Sequence, residues 1–284
     1  MSIETSNVVA CIDGTDISTA VCDMAAWASL CMQAPLEILH VLDKSEYPRK
    51  TDLSGSLSLG SRTTLLDELS SLDEKRGKLA LEQGRVMLEE AKARAIKDGV
   101  AKPILMQRHG SLLETLTEME DRIRLLVLGK HEDHLNDHVG SRLENVVRTM
   151  QRPILITTPN FEKPKRVMLA FDGSKTTRKG IEMVAESPLF KGLPCHVVMV
   201  GENTSANQKQ LDWATGVLEK AGFEAPGSII AGEVEMVLCD YRAAENIDML
   251  IMGAYGHSTI RRFLVGSTTT NIIRNASVPV LLLR

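Results

Sequence analysis

Short apolar runs alternate with amphipathic, helix-like segments along the second half of the chain. The runs have the length of strands and are almost continuously apolar, which is typical of strands buried on both faces of a parallel sheet. Strands that alternate with helices predict such a sheet, with helices covering both sides. The predicted strands are 166–171, 194–200, 228–231, 249–252 and 278–283, and the predicted helices are 174–187, 208–220, 234–246 and 267–275.

The first half repeats this order, and two blocks of sequence recur in both halves. VVACIDG at residues 8–14 matches VMLAFDG at residues 167–173, an offset of 159. Each half then ends in G-S-x3-N-x2-R-x4-P followed by an apolar strand, now at an offset of 126. Such an internal repeat predicts two related α/β domains in tandem, each an open five-stranded parallel sheet. We place them at residues 1–158 and 159–284, joined through a proline-containing linker at 157–166.

The first half carries about 33 extra residues, mainly within 44–98. Residues 52–60 predict a loop, and residues 63–97 predict a long charged helix, with Gly77 or Gly84 as a place for a break. One interpretation is an amphipathic helix that lies across its own sheet. The alternative is an arm that binds a partner or a second copy of the chain.

Composition is that of an ordinary globular protein, with 43% hydrophobic and 25% charged residues. The net charge of -4 provides no basic field for nucleic acid or an anionic membrane. The amino-terminal residues do not have the basic-then-apolar pattern of a signal peptide, and the apolar runs are too short to span a bilayer. We therefore expect a cytoplasmic protein without a nucleic acid or membrane partner.

The cysteines are scattered and form no C-x-x-C pair, which predicts reduced thiols packed as small apolar side chains. A redox pair of Cys22 and Cys31 is the alternative. The five positions are Cys11, Cys22, Cys31, Cys195 and Cys239.

Three glycines punctuate the segment between the last two predicted strands. Gly253 ends the fourth strand, at the carboxyl edge where open α/β sheets bind ligands. Glycine allows the backbone to approach a ligand closely, and Gly266 and Ser267 open a predicted helix whose free N–H groups attract phosphate. The spacing G-x2-G-x9-G-[ST] therefore predicts a phosphate-binding loop, whereas the simpler interpretation is a tight connection.

This combination of motifs resembles the universal stress protein family in its tandem two-domain form. The resemblance rests on Asp172-Gly173-Ser174 after the first strand, on the glycine motif at 253–267 and on the closing V-P-V-L-L-L strand. It covers essentially the whole chain, and it implies an adenine-nucleotide α-hydrolase-like fold. It also implies that the terminal strands of the two domains pair with each other.

The family resemblance implies ATP as the ligand, alone or with Mg²⁺, and assigns roles to the second half. Asp172 would lie beside the nucleoside, Val200 would present backbone groups to adenine, and Gly253 would lie near the ribose. The residues around the phosphates would be Gly256, Gly266, Ser267 and Thr268.

The first half departs from this pattern. Its loop is two residues shorter, Glu132 replaces the middle glycine, and Asp133 and Asp137 add negative charge where phosphates would lie. Asp13, Gly14, Val41, Gly140 and Ser141 are still present, so we expect an intact scaffold that binds ATP weakly or not at all.

The same loop contains three histidines that, on a helix, would lie near one face and could form a metal site. We favour a solvated polar loop, because no predicted strand or helix holds the ligands in place. These histidines are His131, His134 and His138. We expect no bound metal.

Three functions fit these observations. The first is an ATP-binding regulatory protein of the stress response, in which nucleotide in the second domain shifts conformation or assembly. The second is a slow ATPase, but the chain has no G-x4-G-K-[ST] motif and no evident general base. The third is a nucleotide-free assembly protein. We favour the first, with no catalytic residues, and homodimerisation is an open alternative.

Overall fold

The computed structural model describes residues 6–42, 59–130, 141–253 and 268–284. Its strands are β1 (Asn7–Ile12), β2 (Leu36–Leu42), β3 (Ile104–His109), β4 (Ile123–Gly129), β5 (Ile154–Thr157), β6 (Val167–Ala170), β7 (Cys195–Val200), β8 (Gly227–Ile230), β9 (Met249–Gly253) and β10 (Val280–Leu283). Its helices are α1 (Ile17–Met32), α2 (Leu59–Lys97), α3 (Leu112–Glu118), α4 (Ser141–Thr149), α5 (Lys175–Glu186), α6 (Ser205–Lys220), α7 (Val234–Ala244) and α8 (Thr268–Asn275). Within these ranges, short 3₁₀ turns lie at Glu120–Arg122 and Pro188–Phe190.

The ten strands form one sheet in the order β3-β2-β1-β4-β5-β10-β9-β6-β7-β8. Within each half the strands are parallel, which confirms the predicted pair of five-stranded parallel sheets. The halves join where β5 and β10 pair antiparallel, with Leu281 opposite Leu155 and Val280 opposite Ile156. This pairing confirms the expectation that the terminal strands meet. Residues 158–166 of the predicted linker contain neither helix nor strand.

Helices cover both faces of the sheet, and each face has its own apolar core. One core contains Val8 and Ala10 of β1 and is covered by α1, α2, α5 and α6. The other contains Val9, because side chains alternate along a strand, and it is covered by α3, α4, α7 and α8. Both cores are mainly aliphatic, in keeping with the 4% aromatic content of the chain.

Two helix starts follow from side-chain caps. Ser174 caps α5 as predicted, and its hydroxyl oxygen accepts a hydrogen bond from the Thr177 N–H at 3.3 Å. Helix α6 begins at Ser205, three residues before the predicted start, because the Thr204 hydroxyl accepts from the Asn207 N–H at 3.2 Å. The first turn of α6 is mostly polar, so the hydrophobic periodicity did not indicate that the helix begins there.

Helix α2 is continuous over 39 residues, about 58 Å, so a break at Gly77 or Gly84 is wrong. At Gly84 the helix touches the sheet: a Cβ there would lie 2.3 Å from Gln107 Nε2 and 2.7 Å from His40 Cδ2. Gly84 therefore permits close packing and does not end the helix. At Gly77 nothing lies within 4 Å, and a single glycine costs only about 1 kcal/mol in a helix interior.

The two ends of α2 have different environments. Leu88, Ala91 and Ala95 are buried in the core, so the carboxyl-terminal turns lie across the sheet, as the first interpretation predicts. Leu72 and Leu79, further toward the amino terminus, are 50% and 71% exposed. A partner-binding role for that exposed part stays a prediction. Residues 43–58, with most of the predicted loop, lie outside the described residues.

Within the described ranges, no helix combines the length and apolarity that crossing a bilayer requires.

Burial at the junction of the halves predicts a large loss of stability on truncation there. We expect Leu155→Ala, on β5, to lower the free energy of unfolding by about 2–5 kcal/mol, since Leu155 is fully buried and the change leaves a cavity. Urea denaturation followed by circular dichroism measures this. Leu79→Ala is the matched control and should change stability by less than about 0.5 kcal/mol. Equal effects of the two changes would contradict the packing described here.

Candidate functional site

The candidate site lies at the carboxyl edge of the second half of the sheet. The last residue of β6, Ala170, pairs with Val198 of β7 and with the residue before Gly253 in β9. One or two residues beyond these paired positions come Asp172 after β6, Val200 in β7 and Gly253 in β9. The sheet therefore brings these three predicted residues to one edge, where open α/β sheets bind ligands.

Asp172 organises the turn between β6 and α5. Its Oδ1 accepts hydrogen bonds from the Ser174 N–H at 2.9 Å and from the Thr177 hydroxyl at 2.7 Å. Gly173, between them, has φ +73°, a backbone conformation that side chains other than glycine rarely adopt. These contacts hold the carboxylate at the start of α5.

Gly253 packs directly against the same helix start. A Cβ at Gly253 would lie 3.2 Å from Thr177 Cγ2 and 3.4 Å from Thr176 Cγ2. Thr177 therefore contacts Asp172 with its hydroxyl and faces Gly253 with its methyl group. Because any side chain at 253 would crowd these threonines, glycine keeps the edge open beside the carboxylate.

An aromatic and cationic cluster supports this turn from the side of α6. The Arg178 guanidinium carbon lies 4.5 Å from the Trp213 ring centroid, and the Trp213 ring stacks on Phe171 at 6.3 Å. Arg178 Nε donates to the Gly173 carbonyl at 3.1 Å. Gln210 also reaches Gly173, since a Cβ there would lie 1.6 Å from Gln210 Oε1.

Most of the predicted phosphate-binding residues lie outside the described residues. These are Gly256, Gly266 and Ser267. Thr268 is described as the first residue of α8, which packs on the sheet through Ile272 and Ile273. The described part of α8 therefore follows the predicted glycine motif in the chain.

The first half has the same turn with different neighbours. Asp13 Oδ1 accepts from the Thr15 hydroxyl at 2.7 Å and from the Ser18 hydroxyl at 3.1 Å. A Cβ at Gly14 would lie 2.8 Å from Met87 Cε, where the second half places a glutamine amide. Gly140 and the acidic residues Glu132, Asp133 and Asp137 lie outside the described residues, and of Ser141 only its place as the first residue of α4 is described.

Apolar groups thus replace polar ones at this edge of the first half. A Cβ at Gly129, which corresponds to Gly253, would lie 2.7 Å from Ile17 Cγ2, and the second half has Thr176 at the position of Ile17. Val41, which corresponds to Val200, is half-buried at the end of β2. The scaffold is preserved, whereas its lining is less polar.

The histidine loop of the first half, with His131, His134 and His138, lies outside the described residues. Among the residues that the structure describes, no group of three or more histidine, cysteine, aspartate or glutamate side chains has the geometry of a metal site.

Sequence reasoning missed Thr177, Gln210 and the Arg178–Trp213 pair. A signal for Thr177 was present, because both halves contain D-G-[ST]-x2-[ST], with Ser18 and Thr177 at the last position. Gln210 and Trp213 carry no such signal, since only the packing of α6 on α5 brings them to the turn.

Comparison with known proteins agrees with the two-domain architecture. The model of the universal stress protein family matches residues 4–158 and again residues 163–284. The chain belongs to the universal stress protein family. It is 32% identical over 285 residues to the universal stress protein Slr1230 of a Synechocystis species, a match that covers 98% of this chain and 99% of that protein.

Solved structures of other universal stress proteins share this fold over the full length. The universal stress protein of Archaeoglobus fulgidus DSM 4304 aligns with a TM-score of 0.69 at 18% identity, covering 99% of this chain and 96% of that one. A putative universal stress protein of Pseudomonas aeruginosa UCBPP-PA14 aligns with a TM-score of 0.62 at 12% identity, covering 99% and 94%. The two tandem domains of this universal stress protein are therefore a recurrent arrangement.

The cysteines of this universal stress protein are all free thiols. Burial raises the pKa of the Cys22 thiol to about 12, and the Asp23 carboxylate adds to the shift. Burial also raises the pKa of Cys195 to about 12 and that of Cys11 still further. Cys31 is half-buried, and burial raises its pKa as well. Such thiols are poor nucleophiles, which argues against a redox pair of Cys22 and Cys31.

Cys239 is the exposed thiol among the five, so we expect one fast-reacting thiol per chain. Titration of the native protein with a thiol-specific disulfide reagent at pH 8 should show one rapid equivalent, and denaturant should release all five. Cys239→Ser should remove the rapid phase, and Cys22→Ser should leave it intact. A rapid phase that survives Cys239→Ser would contradict the lower exposure of the other four thiols.

Proposed function

We propose that this universal stress protein binds ATP, alone or with Mg²⁺, at the carboxyl edge of its second domain. The binding residues of this proposal are Asp172, Val200, Gly253, Gly256, Gly266, Ser267 and Thr268. Nucleotide binding then regulates the conformation or the assembly of the protein in a cytoplasmic stress response.

The arrangement of Asp172, Thr177 and Gly253 supports this proposal most directly. Thr177 lies between a carboxylate and a glycine at the carboxyl ends of two neighbouring strands. Its hydroxyl oxygen is 2.7 Å from Asp172 Oδ1, and its methyl carbon is 3.2 Å from the Cβ position of Gly253. A carboxylate beside backbone without a side chain accepts hydrogen bonds from ribose hydroxyls and lets the sugar approach closely. The edge is thus suited to a nucleoside.

The phosphates extend from this edge toward the start of α8. A helix start offers unpaired N–H groups and a positive dipole end, and the motif G-x2-G-x9-G-[ST] ends immediately before Thr268. Ser267 and Thr268 add hydroxyl donors. Binding of an anion at this point needs no charged catalytic group. We favour a switch over an ATPase because the chain has no G-x4-G-K-[ST] motif and no evident general base.

The first domain does not bind ATP in this proposal. Met87 and Ile17 make its edge more apolar than that of the second domain, where Gln210 and Thr176 occupy the equivalent places. The sequence of its loop also carries Glu132, Asp133 and Asp137, whose negative charges repel phosphate. One nucleotide per chain follows.

Titration calorimetry of nucleotide-stripped protein with Mg·ATP tests the proposal. We expect one site per chain, and we expect Gly266→Asp to weaken binding by at least about a hundredfold, because it adds a side chain and a negative charge to the phosphate cradle. Gly140→Asp, at the matching position of the first domain, is the control and should change affinity by less than about twofold.

Each other outcome identifies the part that is wrong. Two sites, of which Gly140→Asp removes one, would show that the first domain also binds ATP. A folded protein that binds no adenine nucleotide would exclude the nucleotide switch and favour the nucleotide-free assembly protein. Phosphate release during the titration, lost in Gly266→Asp, would indicate a slow ATPase.

A further inference from the structure

A cavity of about 280 Å³ lies at the junction of the two domains. Its lining comes from both halves of the chain, and Asp172, Val200 and Gly253 take no part in it. Pockets for small molecules often form where two domains meet, and this volume lies just below their usual range of about 300–1,000 Å³. The cavity is therefore separate from the proposed nucleotide edge.

Most of the cavity wall is apolar. It is formed by the start of β4, the end of α5, the 3₁₀ turn that follows α5, and β10. Met32 and Met183 add flexible thioether side chains, which adapt to the shape of a ligand. The fully or almost fully buried wall residues are Ile123, Leu125, Val184, Phe190, Leu281 and Leu283.

Arg124 reaches this apolar space through a β-bulge. In the pairing of β1 with β4, Asn7 lies opposite Ile123 but Val8 lies opposite Leu125, so Arg124 is an extra residue in β4. Bulges redirect a side chain and recur next to functional sites. Arg124 Nη1 donates to the Met32 carbonyl at 3.2 Å, which fixes the guanidinium at the cavity wall.

Arg152 supplies a second cation to the same cavity. Its Nε donates to the Glu120 carbonyl at 3.0 Å, and its Nη2 lies 3.6 Å from the carboxylate of Asp121. The Asp121 side chain is 96% exposed, so this ion pair is weak. The backbone contact nevertheless restrains the guanidinium.

The repeat indicates that the sheet itself does not require these arginines. At the offsets of 124 and 126 that relate the domains here, the second domain has Asp248 in place of Arg124 and Val278 in place of Arg152. Asp248 Oδ2 there accepts hydrogen bonds from the Lys165 and Arg166 N–H groups. The first domain thus places two guanidiniums at the junction cavity. The second domain has a carboxylate and an apolar residue at the corresponding positions.

We infer that this cavity binds a small amphipathic monocarboxylate. The apolar wall takes the hydrocarbon part, and the planar guanidiniums of Arg124 and Arg152 match a carboxylate group. Glu186 also lines the cavity, so the lining residues themselves carry a net charge of +1, while Asp121 meets Arg152 from the solvent side. A ligand with one negative charge therefore fits better than a di- or triphosphate.

The volume sets the size of the ligand. A cavity of about 150 Å³ holds benzene, with six non-hydrogen atoms, so about 280 Å³ suits a ligand of roughly ten. Octanoate has that size and the required charge, and octanol is the neutral molecule of nearly equal length. The pair separates the contribution of the arginines from that of the apolar wall.

Calorimetric titration of the full-length protein with octanoate and octanol, without nucleotide, tests this inference. We expect octanoate to bind about tenfold or more tightly than octanol, since hydrogen bonds to charged groups contribute that much or more. The double variant Arg124→Gln and Arg152→Gln should weaken octanoate binding about tenfold and octanol binding less than twofold. Arg85→Gln, an exposed arginine on α2, is the matched control.

A second variant tests the location of the ligand. Met183→Trp fills the cavity and should abolish binding of both octanoate and octanol while the protein remains folded by circular dichroism. Octanoate binding no tighter than octanol binding, no binding of either compound, or unchanged octanoate affinity in a folded Met183→Trp or double-glutamine variant would overturn the inference. The comparison of the two ligands on the unmodified protein decides the matter even if both variants fail to fold.

Discussion

The antiparallel pairing of β5 with β10 is the contact on which the architecture depends. Each strand would otherwise be the exposed edge of a five-stranded sheet, with unpaired backbone groups beside apolar side chains. Their pairing turns two repeats into one ten-stranded sheet, and Leu155 and Leu281 meet across it. Lys130 adds a polar contact between the halves, because its ammonium group donates to the Ala276 carbonyl at 3.2 Å. Since the join is antiparallel, the carboxyl ends of the strands in the two domains point to opposite edges of the common sheet.

The two domains show how one scaffold acquires different interiors. Glu37, buried on β2, accepts hydrogen bonds from Asn7 at 2.9 Å and Arg122 at 3.0 Å. His196 holds the corresponding place on β7, and its Nδ1 lies 2.9 Å from the Tyr241 hydroxyl oxygen. Burial lowers the pKa of His196, which favours the neutral ring. The residue types differ between the two domains, but Glu37 and His196 each have a hydrogen-bond partner. A buried polar group without one would destabilise the fold.

The candidate nucleotide edge and the junction cavity share one helix. Helix α5 begins at the turn held by Asp172 and ends beside the cavity, where Met183 and Glu186 line it. Its 12 residues span about 18 Å. The cavity itself arises from the joining of the domains, because its wall needs β4 of one half and α5 and β10 of the other. Neither domain alone would form it.

The sequence by itself determined the alternation of strands and helices, the repeat and the place of Asp172, Val200 and Gly253 at one sheet edge. These follow from hydrophobic periodicity and from the rule that parallel strands end together, which are local properties of the chain. Tertiary structure alone decided that α2 packs on the sheet at Gly84, that the Thr177 methyl group faces Gly253, and that a bulge turns Arg124 toward the cavity. Each of these depends on contacts between segments distant in sequence, and no local pattern encodes which side chain an opposing helix or strand will present.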